Sequence, residues 1–366
     1  MLPRSKESAL RIETQAGAAR TQVKPRVACN TAVALLLVAV SSSALAADPP
    51  KPIEPGPWKF GTTATLNFTQ STYSSNWSGG DRGSMQWVLG ADSEAGRQLS
   101  GTFNLANHLV LAYGQRSNQV TGAGGGLRWD APEKSTDKIE FESIGRWTFQ
   151  SFVDPYASLR LDSQFSDEAA DVFGLGRTIN FNPVQLKESA GIARILRKTD
   201  DAQTLMRLGF GFRQALGRGF KSAAANDKER FTSNDGGIEW QTDIKEPVLE
   251  KKVLYKGQLL VFLPLFYSKS EDLRTIDGLA ASPGRESVAD FWKAPDVNFQ
   301  NTFSAAITKH VGVDLFVQLV YDKFNTAANI DKTKDLALEV TEIDRNVRKA
   351  GQFKQTLSVA LSYRLF

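Results

Sequence analysis

The chain has 366 residues, a formal net charge of +4 at pH 7 and one cysteine. Residues 1–46 hold six lysines or arginines and two acidic residues, so the remainder has 38 bases and 38 acids and is formally neutral. Neutrality removes the argument for nucleic-acid binding that a basic chain would offer. Because Cys29 is the only cysteine, the later part of the chain has neither disulfides nor thiolate metal sites nor cysteine nucleophiles.

The first 46 residues have the pattern of a secretory signal peptide with an N-terminal extension. Two basic residues precede an apolar run from Ala32 to Val40, and small residues follow up to Ala46. This order predicts export and cleavage after Ala46. The apolar run is about half of the ~20 residues that a helix needs to cross a bilayer, which argues against a membrane anchor. The proline-rich residues 47–57 are expected to form an extended linker.

Twelve segments of alternating apolar and polar residues follow. In the first segment, Trp58, Phe60, Leu66 and Phe68 share one parity, and polar residues share the other. Side chains on a strand alternate between its two faces, so this pattern predicts strands with one apolar face. The predicted strands are 57–71, 84–94, 99–116, 137–152, 156–165, 184–197, 203–215, 236–246, 251–267, 295–308, 312–324 and 353–365.

Short and long connections alternate along this series of strands. The tight ones are 95–98, 153–155, 198–202, 247–250 and 309–311. The long ones are rich in Gly, Asp, Asn and Lys: 76–83, 117–136, 166–183, 217–235, 268–294 and 325–352. Such segregation is typical of a membrane barrel with turns at one rim and loops at the other. We predict an all-β fold, an antiparallel transmembrane β-barrel of about 12 strands over residues 58–366, with both termini periplasmic. A soluble all-β protein is the alternative.

The apolar parity of each strand is predicted to face lipid, because a charge there is costly. Two segments fit this pattern poorly. The run from Leu259 to Phe266 is apolar on both faces and contains Pro264, which predicts a β-bulge or an apolar patch in the lumen. The sixth strand carries charges on both parities. Aromatic residues near strand ends are expected to form two girdles at the membrane surfaces: Trp58, Tyr73, Tyr113, Tyr156, Tyr267, Tyr321 and Tyr363.

A series of short motifs carries a family resemblance. They are Trp58-Lys59-Phe60-Gly61, Leu66-Asn67-Phe68-Thr69-Gln70, Asn76-Trp77-Ser78-Gly79-Gly80-Asp81, Asp154-Pro155-Tyr156, Asp296-Val297-Asn298, Tyr321-Asp322 and the ending Leu361-Ser362-Tyr363-Arg364-Leu365-Phe366. In these motifs the chain resembles an outer-membrane β-barrel family catalogued as domain of unknown function 3078. The resemblance implies a bacterial outer-membrane barrel and implies no activity or catalytic residue. It also implies recognition by the barrel-insertion machinery through the last strand, although Phe366 is out of phase with the apolar set of that strand.

Few side chains are suited to catalysis. The two histidines are His108, which is predicted to point into the lumen, and His310, which is predicted to be exposed in a tight turn. A barrel lipase needs its Ser/His pair on the lipid-facing wall, which argues against lipase chemistry here. We predict no enzyme and no catalytic residue. We also predict no metal and no cofactor. Asp167, Glu168 and Asp171 match no calcium-binding spacing and are expected to form a solvated loop face.

The predicted inward parity carries charges of both signs. These candidate lumen-lining residues are Glu140, Glu142, Arg146, Arg160, Asp162, Arg207, Arg213, Glu239, Asp243, Lys245, Asp314 and Asp322. In one interpretation, opposite charges pair across neighbouring strands and fill the interior. In the other, some stay hydrated and set the selectivity of a pore. The interspersed signs favour pairing, but twelve strands lie between the filled and the open barrel sizes.

The sequence therefore favours a passive channel or small-solute uptake pore in the bacterial outer membrane. Its expected partners are outer-membrane lipid and lipopolysaccharide, the insertion machinery and a small solute, with no nucleic acid. One alternative is a closed barrel whose long loops bind a surface partner. The least favoured alternative is an enzyme that uses carboxylates of the lumen or loops.

Overall fold

The computed structural model describes residues 53–74, 81–149, 151–224, 226–276, 287–330, 336–348 and 350–364. The predicted signal peptide, most of the Asn76–Asp81 motif and Phe366 lie outside the described residues. Within them, twelve long strands form a closed antiparallel barrel, as predicted. The strands are β1 (Lys59–Ser71), β2 (Ser84–Ser100), β3 (Phe103–Thr121), β4 (Glu133–Trp147), β5 (Asp154–Ser163), β6 (Val184–Lys198), β7 (Gln203–Phe220), β8 (Lys228–Val248), β9 (Val253–Tyr267), β10 (Asp296–Ala306), β11 (Val311–Tyr321) and β12 (Gln352–Arg364).

Each strand pairs with the next one along the chain, and the first strand pairs with the last. At this seam between β1 and β12, Leu66 lies opposite Leu361 and Phe68 lies opposite Val359. The ring of backbone hydrogen bonds leaves no open sheet edge, which is the condition for a sheet to cross a bilayer. The described residues contain no helix that is long and apolar enough to span a membrane.

The outer wall of the barrel is largely apolar. Leu89, Leu208, Trp240 and Leu357 all expose their side chains to the outside. The inner face buries charged residues instead, which is the reverse of a soluble barrel with a polar exterior. This arrangement is the one expected of a barrel surrounded by lipid.

Glu188 on β6 is an exception on the outer wall. Its neighbour Lys187 is buried and points inward, so Glu188 points outward, where Gln214 of β7 donates a hydrogen bond to it over 3.1 Å. Arg194 of the same strand lies over the ring of Phe152 at 3.7 Å. The charges on the second parity of the sixth strand therefore have contacts with neighbouring side chains.

The two rims differ in the length of their connections. One rim has the connections 101–102, 148–153, 199–202, 249–252 and 307–310, whereas the other carries the long segments. Strands β3 and β8 extend further than the alternation predicts, because residues 117–121 and 228–235 are largely polar on both faces, and β7 also continues to Phe220. The predicted long loops 117–136 and 217–235 are therefore largely strand, and the predicted turn 95–98 belongs to β2.

The predicted bulge at Pro264 is confirmed. Gly236 of β8 pairs with Phe266 and Gly237 pairs with Pro264, so Leu265 is the extra residue of β9. Proline has no N–H to donate to the ladder, and the bulge accommodates this loss. The predicted aromatic girdles need a correction, because Tyr156 and Tyr267 are buried rather than placed on the outer wall.

Two long loops fold together at the long-loop rim into a structure that we call the cap. Its elements are α1 (Ser270–Thr275), a 3-10 segment (Val288–Lys293) and α2 (Leu336–Asn346). Its apolar core consists of Tyr267, Leu273, Ile276, Val288, Trp292, Phe324, Ala328, Ile330 and Ile343. The cap thus has a hydrophobic core, which is anchored to the barrel wall through Tyr267, the last residue of β9.

Candidate lumen site

Arg207 is among the most deeply buried charges that the structure describes in the barrel interior, with 2% of its surface exposed. Its guanidinium donates to Glu142 over 2.7 Å and to Asp243 over 3.2 Å. Arg207 lies on β7 and Glu142 on β4, which are not neighbours in the sheet. The contact therefore passes through the interior, and both residues line the lumen.

Further ion pairs extend this buried network around the wall from β4 to β8. Arg160 donates to Glu140 over 2.8 Å and to Asp162 over 2.8 Å. Lys187 of β6 donates to Glu239 of β8 over 2.7 Å, again across an intervening strand. Charges in a low-dielectric interior are tolerated when they are paired in this way. On this part of the wall, the charged side chains are therefore paired with one another rather than hydrated.

A second charged group lies below the cap. Arg213 contacts Asp235 and lies 2.8 Å from Asp296. With Asp322 they line a polar cavity of about 190 Å³. Thr326 of the cap donates to Asp235 over 2.9 Å.

This contact brings the cap into the mouth of the barrel. Ser233, which is buried on β8, donates to the backbone oxygen of Thr326 over 2.6 Å. Burial raises the pKa of Asp322, which follows the end of β11. The contacts of Thr326 with Ser233 and Asp235 show that the loop 322–351 folds inward at its first residues. The sequence did not predict this feature.

The third charged group joins opposite walls of the lumen. Lys256 of β9 donates to Asp92 of β2 over 3.0 Å, and Lys245 of β8 lies 3.8 Å from Glu94 of β2. Strands β8 and β9 are almost diametrically opposite β2 in the ring. His108 of β3 lies 2.8 Å from Asp92. We call Asp92, Glu94, Lys245 and Lys256 the latch.

The latch residues are more accessible than the buried network. About 34% of the Asp92 side chain and 55% of the Glu94 side chain are exposed, and the two lysines are similar. Arg207, in contrast, has only 2% of its side chain exposed. Part of the interior is therefore reachable by water, although two ion pairs cross it.

The remaining candidate residues are dispersed. Arg146 lies 3.7 Å from Asp154 near the tight-turn rim. Asp314 is opposite Ser358, which is buried on the inner face, so Asp314 also points inward. Asp322 lies just beyond β11 rather than within a strand. His310 is exposed in the turn 307–310.

Sequence reasoning missed several lumen residues. Lys187 was obscured by the outward charge next to it. Asp92 and Glu94 are the last inward residues of the predicted strand 84–94, but they lie well inside β2, which continues to Ser100. The signal for this acidic pair is its spacing of two, which places both side chains on one face. Lys256 gave no local signal, because its partner is 164 residues away.

Of the three acidic residues predicted to form a solvated loop face, Glu168 is exposed, but Asp167 and Asp171 are buried. Asp171 is buried and accepts hydrogen bonds from the backbone N–H groups of Leu175 and Arg177 and from the Arg177 guanidinium. These bonds hold the pKa of Asp171 well below its usual range. Asp167 is likewise buried, and Asn182 donates to it over 2.6 Å. These carboxylates organise the loop.

The comparison with protein families confirms the resemblance to the barrel family over part of the chain. The model of the family described as "Protein of unknown function (DUF3078)" matches residues 68–168. This range covers β2 to β5 and parts of the segments on either side. No match to a curated protein was found.

Solved structures similar to the chain include three barrels. The translocator domain of the autotransporter NalP from Neisseria meningitidis has a TM-score of 0.35 and 8% identity, covering 83% of this chain and 86% of that one. An outer membrane channel from Pseudomonas putida F1 has a TM-score of 0.36 and 11% identity, covering 87% and 98%. The beta domain of the Bordetella autotransporter BrkA has a TM-score of 0.30 and 12% identity, covering 83% and 98%. These values assign no activity or substrate to the chain.

Proposed function

We propose that the chain is a bacterial outer-membrane barrel that acts as a narrow channel for small polar solutes and is closed at rest. The observation that carries this proposal is the latch, in which accessible charged side chains meet across the interior. Water-exposed charges that meet at one level of a lumen can select and gate small solutes. The role is passive and includes no catalytic step.

The membrane location is supported by the two faces of the wall. Apolar side chains such as Leu89 and Leu357 are exposed on the outside, while Arg207 and Glu239 are buried inside. Lipid and lipopolysaccharide would contact this outer wall. The tight turns would then face the periplasm and the cap would face the exterior, as in other single-chain barrels.

The closed state is supported at two levels of the lumen. The latch ion pairs cross the interior, and Thr326 of the cap reaches Asp235 inside the mouth. Salt bridges between partly exposed charges contribute about 0–1 kcal/mol each, so the latch contacts can break and re-form thermally. Opening would therefore require separation of the latch and displacement of the cap, without unfolding of the wall.

A second candidate function is a permanently closed barrel that presents the cap to a surface partner. The hydrophobic core of the cap favours it, because an ordered loop structure is a better binding platform than a mobile loop. The two candidates differ in whether ions ever cross the lumen.

Single-channel conductance in planar bilayers tests the proposal. The wild-type protein is expected to show brief, small openings. The double variant Lys245→Gln with Lys256→Gln removes both basic partners of the latch, so we expect more frequent openings and a shift towards cation selectivity. The matched control changes Lys251 and Lys252 to Gln, two exposed lysines in the turn 249–252. This control should behave as the wild type.

Folding of each protein is verified by its mobility shift on heating. Openings that increase in the latch variant and not in the turn variant support the channel. Folded proteins that are silent in all three forms contradict the channel and favour the second candidate. Equal openings in all three forms contradict the closure by the latch.

A further inference from the structure

Three side chains with metal-ligating atoms converge next to the latch lysines. The ligating atoms of Asp92, Glu94 and His108 all lie within 4.8 Å of one another. Asp92 and Glu94 are two positions apart on β2, and Glu94 lies opposite His108 on β3 in the strand register. All three therefore point to the same side of the same strand pair, into the lumen.

The backbone that carries these side chains is held in place. Strands β2 and β3 are paired continuously from Ser84 opposite Asn118 to Gln98 opposite Asn104. Zinc ligand atoms lie about 2.0–2.2 Å from the metal and so roughly 3.4 Å from one another, so the widest separation in the cluster, at most 4.8 Å, must shrink by roughly 1 Å, while His108 and Asp92, 2.8 Å apart, must separate slightly. Glu94 is the most exposed of the three and can supply this movement by a rotamer change.

The imidazole distinguishes this cluster from a simple ion pair. Two carboxylates suffice to hold Lys245 and Lys256, and a latch of that kind needs no histidine. The Nε2 atom of His108 lies 2.8 Å from Oδ1 of Asp92, so the ring nitrogen faces a carboxylate oxygen. One imidazole with two carboxylates suits a first-row transition metal better than Ca²⁺ or Mg²⁺, which take oxygen ligands.

The two lysines occupy the side of the carboxylates that faces the lumen. Lys245 and Lys256 are directly opposite each other in the register of β8 and β9. Their ammonium groups lie 3.8 Å from Glu94 and 3.0 Å from Asp92. A divalent cation supplies the same two positive charges from one point, so it can replace both lysines at these carboxylates.

We propose that Asp92, Glu94 and His108 form a binding site for a divalent transition-metal ion, which competes with Lys245 and Lys256. Three protein ligands leave a coordination position for water, as in exchangeable rather than structural sites. Binding of the metal ion requires only that the barrel is folded. The expected effect on conduction is that metal binding releases the latch lysines, and this effect rests on the proposed channel function.

Calorimetric titration of the detergent-solubilised protein with ZnCl₂ tests the site without any measurement of conductance. The wild type is expected to bind one Zn²⁺ saturably. His108→Ala and Glu94→Gln should each weaken binding by about tenfold or more, since even supporting contacts contribute that much. Lys256→Gln should tighten it by removing a competitor. His310→Ala is the matched control, because it removes the other histidine, and it should leave the affinity unchanged.

Each outcome has a definite meaning. His108→Gln serves as the second variant if the alanine variant does not show the mobility shift of a folded barrel. Absence of saturable Zn²⁺ binding in the wild type overturns the site. Equal affinity in the wild type and in both His108 variants overturns the role of the imidazole. Unchanged or weaker binding in Lys256→Gln overturns the competition. A Zn²⁺ site in a protein that never conducts refutes the channel and leaves the site intact.

Discussion

Replacement of Arg207 by Met is expected to be among the most destabilising single changes in the barrel wall. The substitution keeps an elongated side chain but leaves Glu142, which is buried, without its 2.7 Å partner. Breaking a buried ion pair by removal of one partner costs about 3–5 kcal/mol. The lost contact to Asp243 adds less, because that carboxylate is about one-third exposed. We therefore expect the free energy of unfolding to fall by about 3–5 kcal/mol.

The assay is urea-induced unfolding of the protein in lipid vesicles, followed by tryptophan fluorescence. A double variant, Arg207→Met with Glu142→Gln, should recover most of the loss, because it leaves no buried charge unpaired. Lys251→Met is the control: its contact with Asp201 is exposed, so unfolding should be unchanged within error. A loss below about 1 kcal/mol in Arg207→Met, or no recovery in the double variant, would refute the pairing argument.

Three further changes test other parts of the molecule. Gly209→Ala should destabilise the wall by about 1–3 kcal/mol, because the added Cβ would clash with the backbone oxygen of Ala190 and lie 2.8 Å from the Tyr156 hydroxyl; an unchanged unfolding curve contradicts this packing. Trp292→Ala should expose the cap to limited proteolysis while the barrel keeps its heat-shifted mobility; loss of both would show that the cap is not separable. Arg177→Ala should increase hydrogen exchange in the loop 166–183 at neutral pH. In the wild type the protection factors of the same amides, which are exchange rates corrected for the intrinsic pH dependence, should fall only in acid, because a depressed Asp171 pKa gives stability that is lost as the pH falls below about 4; protection factors that do not change with pH would contradict it.

The wall of the barrel was predictable because each strand and its outward face are determined by residues that are close together in the sequence. In β11, a period of two between Val313, Leu315 and Val317 is sufficient to fix both the strand and its outward face. The bulge was predictable for the same reason, since the missing N–H of Pro264 is a property of one residue. Where both faces of a strand are largely polar, as at residues 117–121 of β3 and 228–235 of β8, this periodicity disappears, and the predicted strands are too short.

The lumen and the cap were less predictable because they depend on distant contacts. The parity of β3 indicates that His108 points inward, but its neighbours Asp92 and Lys256 come together only when the ring closes. Leu273, Val288 and Trp292 are spread through polar loop sequence without a period. Their common burial follows from the meeting of two loops on strands β9 to β12.

The cap core also lies in one continuous part of the chain, from Tyr267 to Ile343, whereas the seam of the barrel joins its two most distant strands. Closing the seam brings together residues almost 300 positions apart, as at Leu66 and Leu361, and therefore carries a larger loop-closure entropy than any contact of the cap core. The mouth of the barrel is thus covered by a segment whose contacts are shorter in sequence than the contact that closes the wall.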